Sequence, residues 1–364
     1  RSSDLKVKDT DHPVVIHIHT IKGKGFELAE TNKEQWHWGM PFVLETGDSK
    51  LPMSDAEDYG DLTAKYLLNE MKQDPTVAVI TSGTPGVLGF SPERRAEAGR
   101  QFIDVGIAEE HAVALASGMA ANGGKPVYGV YSTFLQRTYD QISQDLCINN
   151  NPAVILVTLA SVYGMNDVTH LGLYDIGMMS NIPNLVYLAP TCKEEYFAML
   201  KWSMNQQDHP VAIRIPAMGV INSGNEDNTD YSELNKYQVT KQGKDVAVIA
   251  LGDFYQLGQS LVEKLSSENS IEATLINPKY ITGLDEELLE TLKKEHKLVI
   301  TLEDGILEGG FGERIARYYG SSDVKVLNYG IKKEFLDRYV PDELMKKNRI
   351  TPEQISEDIM NILK

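Results

Sequence analysis

Residues Asp104–Gln141 read DVGIAEEHAVALASGMAANGGKPVYGVYSTFLQRTYDQ and place two helices around one short strand. An acidic pair, Glu109-Glu110, opens a helix of small residues, where the helix dipole and free amides favour a carboxylate. A glycine turn and a strand follow, and Phe134 then opens a second helix. A carboxylate and an aromatic ring on adjacent βα units suit a flat heterocycle that can be protonated. The stretch therefore predicts an α/β fold with a ligand site between neighbouring units.

The composition is that of a globular protein with complete hydrophobic cores. The 364 residues, of which 42% are hydrophobic, are enough for about two or three domains. A net charge of −17 disfavours nucleic acid and anionic membrane as partners, so an anionic substrate would need a local positive site. Cys147 and Cys192 are expected to be reduced thiols, as in a cytoplasmic protein.

Apolar runs alternate with helical patterns over residues 51–220 and again over residues 237–364. Such runs predict parallel sheets covered on both faces, that is, two doubly wound α/β domains. Residues 44–58 and 221–236 are polar and are predicted to be linkers. The predicted strands are 76–81, 126–131, 153–159, 185–189, 211–215, 245–251, 273–277, 298–302 and 324–327. The predicted helices are 62–72, 109–122, 134–148, 193–205, 256–267, 285–295, 309–319 and 352–363.

The first fifty residues hold a predicted strand, 12–20. A buried-looking strand is a poor first element for an independent fold, so we expect the chain to be the C-terminal part of a longer polypeptide. His17 and His19 alternate on one face of that strand. Without an obvious third ligand they predict no metal site.

Three motifs resemble one family. They are Ile107–Val113 (IAEEHAV), Tyr131–Gln141 (YSTFLQRTYDQ) and Gly164–Gly172 (GMNDVTHLG). The chain resembles the 1-deoxy-D-xylulose-5-phosphate synthase family of transketolase-type thiamine-diphosphate enzymes. The resemblance implies the tail of a diphosphate-binding domain over 1–50, a pyrimidine-binding domain over 51–220 and a transketolase C-terminal-like domain over 237–364.

The resemblance assigns roles to two of the motifs. Glu109 would bind N1′ of the aminopyrimidine and thereby activate thiamine diphosphate. Phe134 would stack on the same ring, and Tyr131 would lie near the substrate. Without that resemblance, Glu109 is simply a helix-capping acid and Phe134 a core aromatic. Glu110 is expected to be a solvated helix acid.

Further site residues follow from the same resemblance. His170 would position and protonate oxygen atoms of donor and acceptor, although a lone loop histidine is usually a surface residue. His37, in the segment Trp36–Phe42, is a second candidate histidine. Lys22 lies in a basic glycine turn and is either a cofactor-binding lysine or a solvated loop lysine. The turn Glu308–Gly312 offers helix amides to an anion, but the resemblance implies a structural role.

The chain also departs from the family pattern. No Gly-Asp-Gly…Asn motif occurs, so the ligands of Mg²⁺ and of the diphosphate are expected in an N-terminal domain outside this sequence. Leu159 and Ala217 stand where the family has phosphate-binding arginines, and Asn166 stands where it has an aspartate. Arg137 or Arg214 would replace the lost guanidinium contacts, or the acceptor would not be glyceraldehyde 3-phosphate.

The resemblance thus implies an enzyme that joins pyruvate to an aldose phosphate with loss of CO₂, as in isoprenoid and thiamine precursor synthesis. Asn166, Tyr131 and Arg137 are the expected substrate-binding residues. Two alternatives stay open: a transketolase-like enzyme with a non-phosphorylated acceptor, and a non-catalytic dimerising subunit. We expect a homodimer in the cytoplasm, completed by the diphosphate-binding domain of the same longer chain rather than by a separately encoded half.

Overall fold

The computed structural model describes residues 2–37, 39–51 and 56–364, which divide into two compact units at Ala56. Residues 52–55 of the predicted linker and Trp38 of the aromatic segment lie outside the described residues. No helix in the described part of the chain is both long enough and apolar enough to cross a membrane.

The first unit contains two short helices, α1 (Ser2–Val7) and α2 (Glu27–Thr31), and a small aromatic cluster around Trp36. The strand predicted over residues 12–20 is wrong. That segment has no regular structure and is exposed, with Val15 93% accessible. A strand needs a neighbour for its backbone N–H and C=O groups, and no strand of the described part of this unit provides one.

The second unit begins with a six-stranded parallel sheet of order β2-β1-β3-β4-β6-β5. The parallel sheet predicted from the buried apolar runs is confirmed, although three-residue β2 carried no periodic signal. The strands are β1 Val77–Thr81, β2 Phe102–Asp104, β3 Lys125–Tyr131, β4 Val154–Thr158, β5 Val186–Leu188 and β6 Val211–Arg214. The helices are α3 Tyr59–Gln73, α4 Pro92–Ala98, α5 Glu109–Ala121, α6 Ser132–Leu135, α7 Tyr139–Gln141, α8 Asp175–Met179 and α9 Lys193–Asn205.

The helix predicted over residues 134–148 is interrupted. It starts as α6, tightens to a 3₁₀ turn at Gln136–Thr138, resumes as α7 and ends in a π-helical turn over Ile142–Cys147. The Thr138 hydroxyl donates to the Leu135 carbonyl at 2.7 Å. Such a side-chain bond competes with the backbone ladder of a regular helix.

A five-stranded sheet of order β11-β10-β8-β9-β7 follows. Four strands are parallel, as predicted, but β7 pairs antiparallel with β9 and was not predicted. The strands are β7 Gln238–Lys241, β8 Asp245–Ala250, β9 Thr274–Asn277, β10 His296–Ile306 and β11 Lys325–Ile331. The helices are α10 Tyr255–Asn269, α11 Glu286–Glu295, α12 Phe311–Tyr319, α13 Pro341–Lys347 and α14 Pro352–Leu363.

The polar segment 221–236 connects the two sheets without helix or strand, yet it is firmly held. Lys279, only 1% exposed, reaches into it from the end of β9. Its Nζ donates to Thr229 Oγ1 at 2.6 Å and lies 3.3 Å from carboxylate oxygens of both Asp227 and Glu195. A buried ammonium between two carboxylates ties the connection to α9, and so to the first sheet.

Replacing Lys279 by methionine keeps most of the side-chain volume but removes the cation. Glu195 would then be buried, and Asp227 half-buried, without their shared partner, which costs about 3–5 kcal/mol of unfolding free energy. Urea unfolding of the 364-residue chain measures this loss. The control Lys244→Met changes an exposed lysine and should stay within about 0.5 kcal/mol of the parent. Equal stabilities of the two variants would contradict a stabilising role for Lys279.

Candidate active site

The candidate site lies where the parallel strands of the first sheet end. In α/β sheets ligands bind at the carboxyl ends of the strands. Tyr131 ends β3, Leu159 follows β4, and Ala217 comes three residues after β6. All three line one cavity of about 250 Å³.

Glu109 is the first residue of α5, and its side chain is buried. Arg137 Nη1, on the 3₁₀ turn after α6, donates to Glu109 Oε2 at 3.4 Å, while the Arg137 side chain is about half exposed. The neighbouring Glu110 is exposed, as predicted. A buried carboxylate that faces a half-exposed guanidinium does more than cap a helix, because it can exchange one hydrogen-bonding partner for another.

The structure brings Tyr131, Phe134 and His170 together. The Phe134 ring centroid lies 5.4 Å from that of Tyr131 and 5.5 Å from that of His170, both in edge-to-face contacts. The Thr133 hydroxyl also donates to the Thr169 carbonyl at 3.2 Å. The turn after β3 therefore packs directly against the loop that carries His170. Burial raises the pKa of the Tyr131 hydroxyl.

His170 is oriented by its own loop. Its Nδ1 lies 2.8 Å from Thr169 Oγ1, and its backbone N–H donates to the Asp167 carbonyl at 2.8 Å. Asn166 faces the second sheet's domain instead: its Nδ2 donates to the Tyr339 carbonyl at 2.8 Å. The amide expected to bind substrate thus anchors the loop.

The same loop folds tightly over Leu159, which has a left-handed backbone with φ of 51°. A Cβ atom added at Gly164 or at Gly172 would collide with the Leu159 carbonyl oxygen. Only glycine permits this close approach of backbone to backbone. The loop's path is therefore set by the main chain around residue 159.

The cavity beside Leu159 and Ala217 lacks a basic group. None of the described residues that line it is lysine, arginine or histidine; its charged members are Glu57 and Asp58. Glu57 is paired with Lys193 at 2.7 Å, and Asp58 caps α3 through a hydrogen bond from the Asp61 amide. A dianionic phosphate would find no free cation among these lining residues.

Arg214 cannot replace the missing arginines, and that expectation is wrong. The side chain is buried, with Nε 2.7 Å from Asp175 Oδ2 and Nη1 2.6 Å from Asp304 Oδ1. Sequence reasoning missed both carboxylates because they lie 39 and 90 residues away. The available signal was Arg214 itself, since an arginine at the end of an apolar strand needs a buried acidic partner.

The glycine turn before α12 is not an open anion site. Glu303, buried on β10, accepts hydrogen bonds from the Phe311 and Gly312 amides, both at 2.8 Å. Burial raises the pKa of this carboxyl to about 7, against the two amides, which lower it. The protein's own side chain thus occupies the position an anion would take.

Lys22 and His37 lie in the first unit, where Lys22 Nζ contacts His37 Nδ1. The His17 and His19 rings are 4.1 Å apart, centroid to centroid. Residues 2–37, 39–51 and 56–364 contain no group of three or more histidine, cysteine, aspartate or glutamate residues arranged to hold a metal ion.

Two family models match the chain. Residues 56–220 match the transketolase pyrimidine-binding domain, and residues 235–355 match the transketolase C-terminal domain. Among solved structures, a split-gene transketolase described as an inactive β4 tetramer matches with a TM-score of 0.70 at 21% identity, over 84% of this chain and 98% of that one. A Pichia stipitis transketolase with xylulose 5-phosphate matches with a TM-score of 0.67 at 16% identity, over 89% of this chain and 47% of that one.

Two relatives by sequence carry the same enzyme name. The 1-deoxy-D-xylulose-5-phosphate synthase of Clostridium perfringens strain SM101 is 36% identical over 358 residues, and that of Clostridium beijerinckii is 37% identical over 363. Each alignment covers 98% of this chain but 57% of the relative. The chain therefore belongs to the transketolase-type enzyme family and comprises the pyrimidine-binding and C-terminal domains of a homologue of the 1-deoxy-D-xylulose-5-phosphate synthases.

Proposed function

We propose that this chain supplies the aminopyrimidine-binding half of a thiamine-diphosphate-dependent carboligase. The reaction would join pyruvate to an aldose phosphate with loss of CO₂, as in 1-deoxy-D-xylulose-5-phosphate synthesis for isoprenoid and thiamine precursors. The observation that carries the proposal is the buried carboxylate of Glu109 at the start of α5, one βα unit before the Tyr131–Phe134–His170 cluster. A cytoplasmic location and a homodimer belong to the same proposal.

The described residues fit the aminopyrimidine. Glu109 offers a buried carboxylate oxygen to a protonated ring nitrogen, and its half-exposed partner Arg137 can give way. Phe134 is only partly buried, so it can take a second ring by stacking. When bound, thiamine diphosphate supplies the nucleophilic carbon and the electron sink for decarboxylation. The diphosphate and Mg²⁺ would be held by a diphosphate-binding domain, with Lys22 assisting.

The other residues would manage protons and orientation. Glu109 would hold a proton at N1′ of the aminopyrimidine. His170, with Nδ1 engaged by Thr169, would exchange a proton with substrate oxygens through Nε2, and His37 would be a second proton carrier. Tyr131 would orient the substrate at the cavity mouth, and Asn166 would act by fixing the His170 loop.

The chain needs a completing domain for this reaction, because it spans about 57% of the relatives it matches. The domain would be joined in the same polypeptide, as in those relatives, or supplied separately, as the name split-gene transketolase indicates for the solved neighbour. A non-catalytic, dimerising role is the remaining possibility. Substitution of Glu109 tests this possibility directly, because only a catalytic role requires its carboxylate.

Glu109→Ala should lower CO₂ release from pyruvate by at least about 100-fold, because the cofactor's activating acid is removed. The measurement uses the chain together with its diphosphate-binding domain, thiamine diphosphate and Mg²⁺. Glu110→Ala is the matched control: the residue is adjacent and exposed, and its activity should stay near the parent value. Unchanged activity in Glu109→Ala would support the non-catalytic role, and no CO₂ release from the parent protein would refute the carboligase.

A second candidate function has its own support in the cavity. Without a free cation in its described lining, the cavity suits a neutral, hydroxylated aldose better than an aldose phosphate. Each charge-assisted hydrogen bond to a phosphate contributes about 1.5–3 kcal/mol. Because Leu159 and Ala217 supply none, and Arg214 is bound to two carboxylates, a transketolase-like enzyme with a non-phosphorylated acceptor is the alternative.

Glyceraldehyde and glyceraldehyde 3-phosphate, offered as competing acceptors, distinguish the two candidates. A neutral-acceptor enzyme should use both with similar kcat/KM, and Ala217→Arg should raise the preference for the phosphate by about 10-fold, as one added charged hydrogen bond predicts. Ala217→Gln is the uncharged control of comparable length. A strong preference of the parent protein for glyceraldehyde 3-phosphate would instead support an aldose phosphate as the acceptor. Recognition of its phosphate would then be assigned to Arg137 or to the completing domain.

A further inference from the structure

One carboxylate of the second sheet's domain holds both loops that border the cavity. Asp253 lies in the 3₁₀ turn Gly252–Phe254 directly after β8. Its Oδ2 accepts the Ala217 amide at 3.0 Å, and the Ser161 hydroxyl also hydrogen-bonds to the carboxyl. Ser161 comes after β4 and Ala217 after β6, so a single side chain fixes the spacing of two loops from a different domain.

Asp253 belongs to a buried cluster with excess negative charge. Asp175, Asp253 and Asp304 are all at least nine-tenths buried, and Arg214 is the guanidinium that faces them. Asp304 Oδ2 is buried and has no hydrogen-bond partner among the described residues. Three ionised carboxylates against one guanidinium would leave two uncompensated charges out of water, which is very unfavourable.

The groups near Asp253 and Asp304 leave few other ways to balance the excess negative charge. Burial first, and then the charge of Asp304, raise the pKa of Asp253 to about 7, while the Ala217 amide, Arg214 and Ser161 lower it. Among the described residues, the other titratable groups that face these two carboxyls are Tyr59 and Tyr163 toward Asp253, and Tyr163, Tyr187, Tyr339 and Glu303 toward Asp304. None of them can carry a positive charge, because phenols and carboxyls are either neutral or anionic.

We propose that Asp253 holds a proton in the folded chain, and that Asp253 in this state is the positioning residue for the two cavity loops. A protonated Asp253 keeps an oxygen to accept the Ala217 amide and removes one of the excess negative charges of the buried cluster. Loss of the proton would leave Asp253 charged in the turn that follows β8, with Asp304 on β10, the strand that pairs with β8. Their repulsion displaces the turn 252–254, and the loops ending at Ser161 and Ala217 move with it.

The stability of the chain should therefore depend on pH in a defined direction. An aspartate of ordinary pKa 3.8 is ionised in the unfolded chain well before the buried carboxyl is. Ionisation in the folded state is then penalised, so stability falls as pH rises from about 4 through about 7. Asparagine at position 253 imitates the protonated acid, since it accepts through Oδ1 and donates through Nδ2. Alanine removes both functions.

Urea unfolding of the 364-residue chain from about pH 5 to about pH 9 tests the proton on Asp253 without requiring catalysis. Asp253→Asn should lose much of the fall in stability that the parent shows, whereas Asp253→Ala should be less stable at every pH. Glu303→Gln removes another carboxyl that is shifted to about 7, so it should also lose part of the fall in stability. It is the control for the loops, because Glu303 has no hydrogen bond to either loop. An Asp253→Asn profile that parallels the parent's would overturn the proposal.

Loop positioning has two readouts. Hydrogen exchange of residues 159–172 and 216–220, corrected for the intrinsic acceleration of amide exchange with pH, should increase with pH in the parent and stay flat in Asp253→Asn. If the proposed carboligation is also correct, the acceptor KM of the completed enzyme should rise by about five-fold or more over the same range, with the Asn variant again flat. Flat exchange in the parent would refute the positioning role, whereas absent CO₂ release would refute only the proposed function.

Discussion

The candidate site depends on the ion pairs of the buried Arg214 guanidinium. This guanidinium stands at the end of β6 and binds Asp175 from its own domain and Asp304 from the next. The Tyr187 hydroxyl completes the arrangement by donating to Asp175 at 2.5 Å. Charges withdrawn from water must be paired within the protein, so the two domains can pack in few relative positions. The candidate site lies at the edge of the first sheet, so its position relative to the second sheet's domain is limited in the same way.

Several other contacts also hold loops of the first sheet's domain against the second sheet's domain. Asn166 and Asp253 connect the loops after β4 and β6 to the second sheet's domain, and Lys279 binds the segment that joins the two sheets. In the proposed site the C-terminal domain would contribute shape rather than chemistry: it holds the loops, and the first sheet's domain would supply Glu109, Tyr131, Phe134 and His170. Its glycine turn before α12 fits this view, because Glu303 already saturates the amides there.

The features that could be predicted from the sequence are those with a local cause. Continuous apolar runs predicted the parallel strands, and the motif around Glu109 predicted which βα units carry the candidate site, whose role stays a prediction. The strand at 12–20 failed because its pattern says nothing about whether a neighbour is present, and β7 was missed because an edge strand of mixed polarity has no period to detect. The Asp253–Asp304–Arg214 cluster was invisible because its members are far apart in sequence and meet only in the folded chain.

The position of Leu159 has a consequence for how such a site changes over time. Gly164 and Gly172 close on its carbonyl oxygen, and its backbone turn is therefore specified by main-chain packing. This main-chain packing does not involve the Leu159 side chain, and Leu159 borders the cavity. Under the proposed function, an exchange of the residue at 159 would change the lining of the cavity while the loop that carries His170 keeps its course.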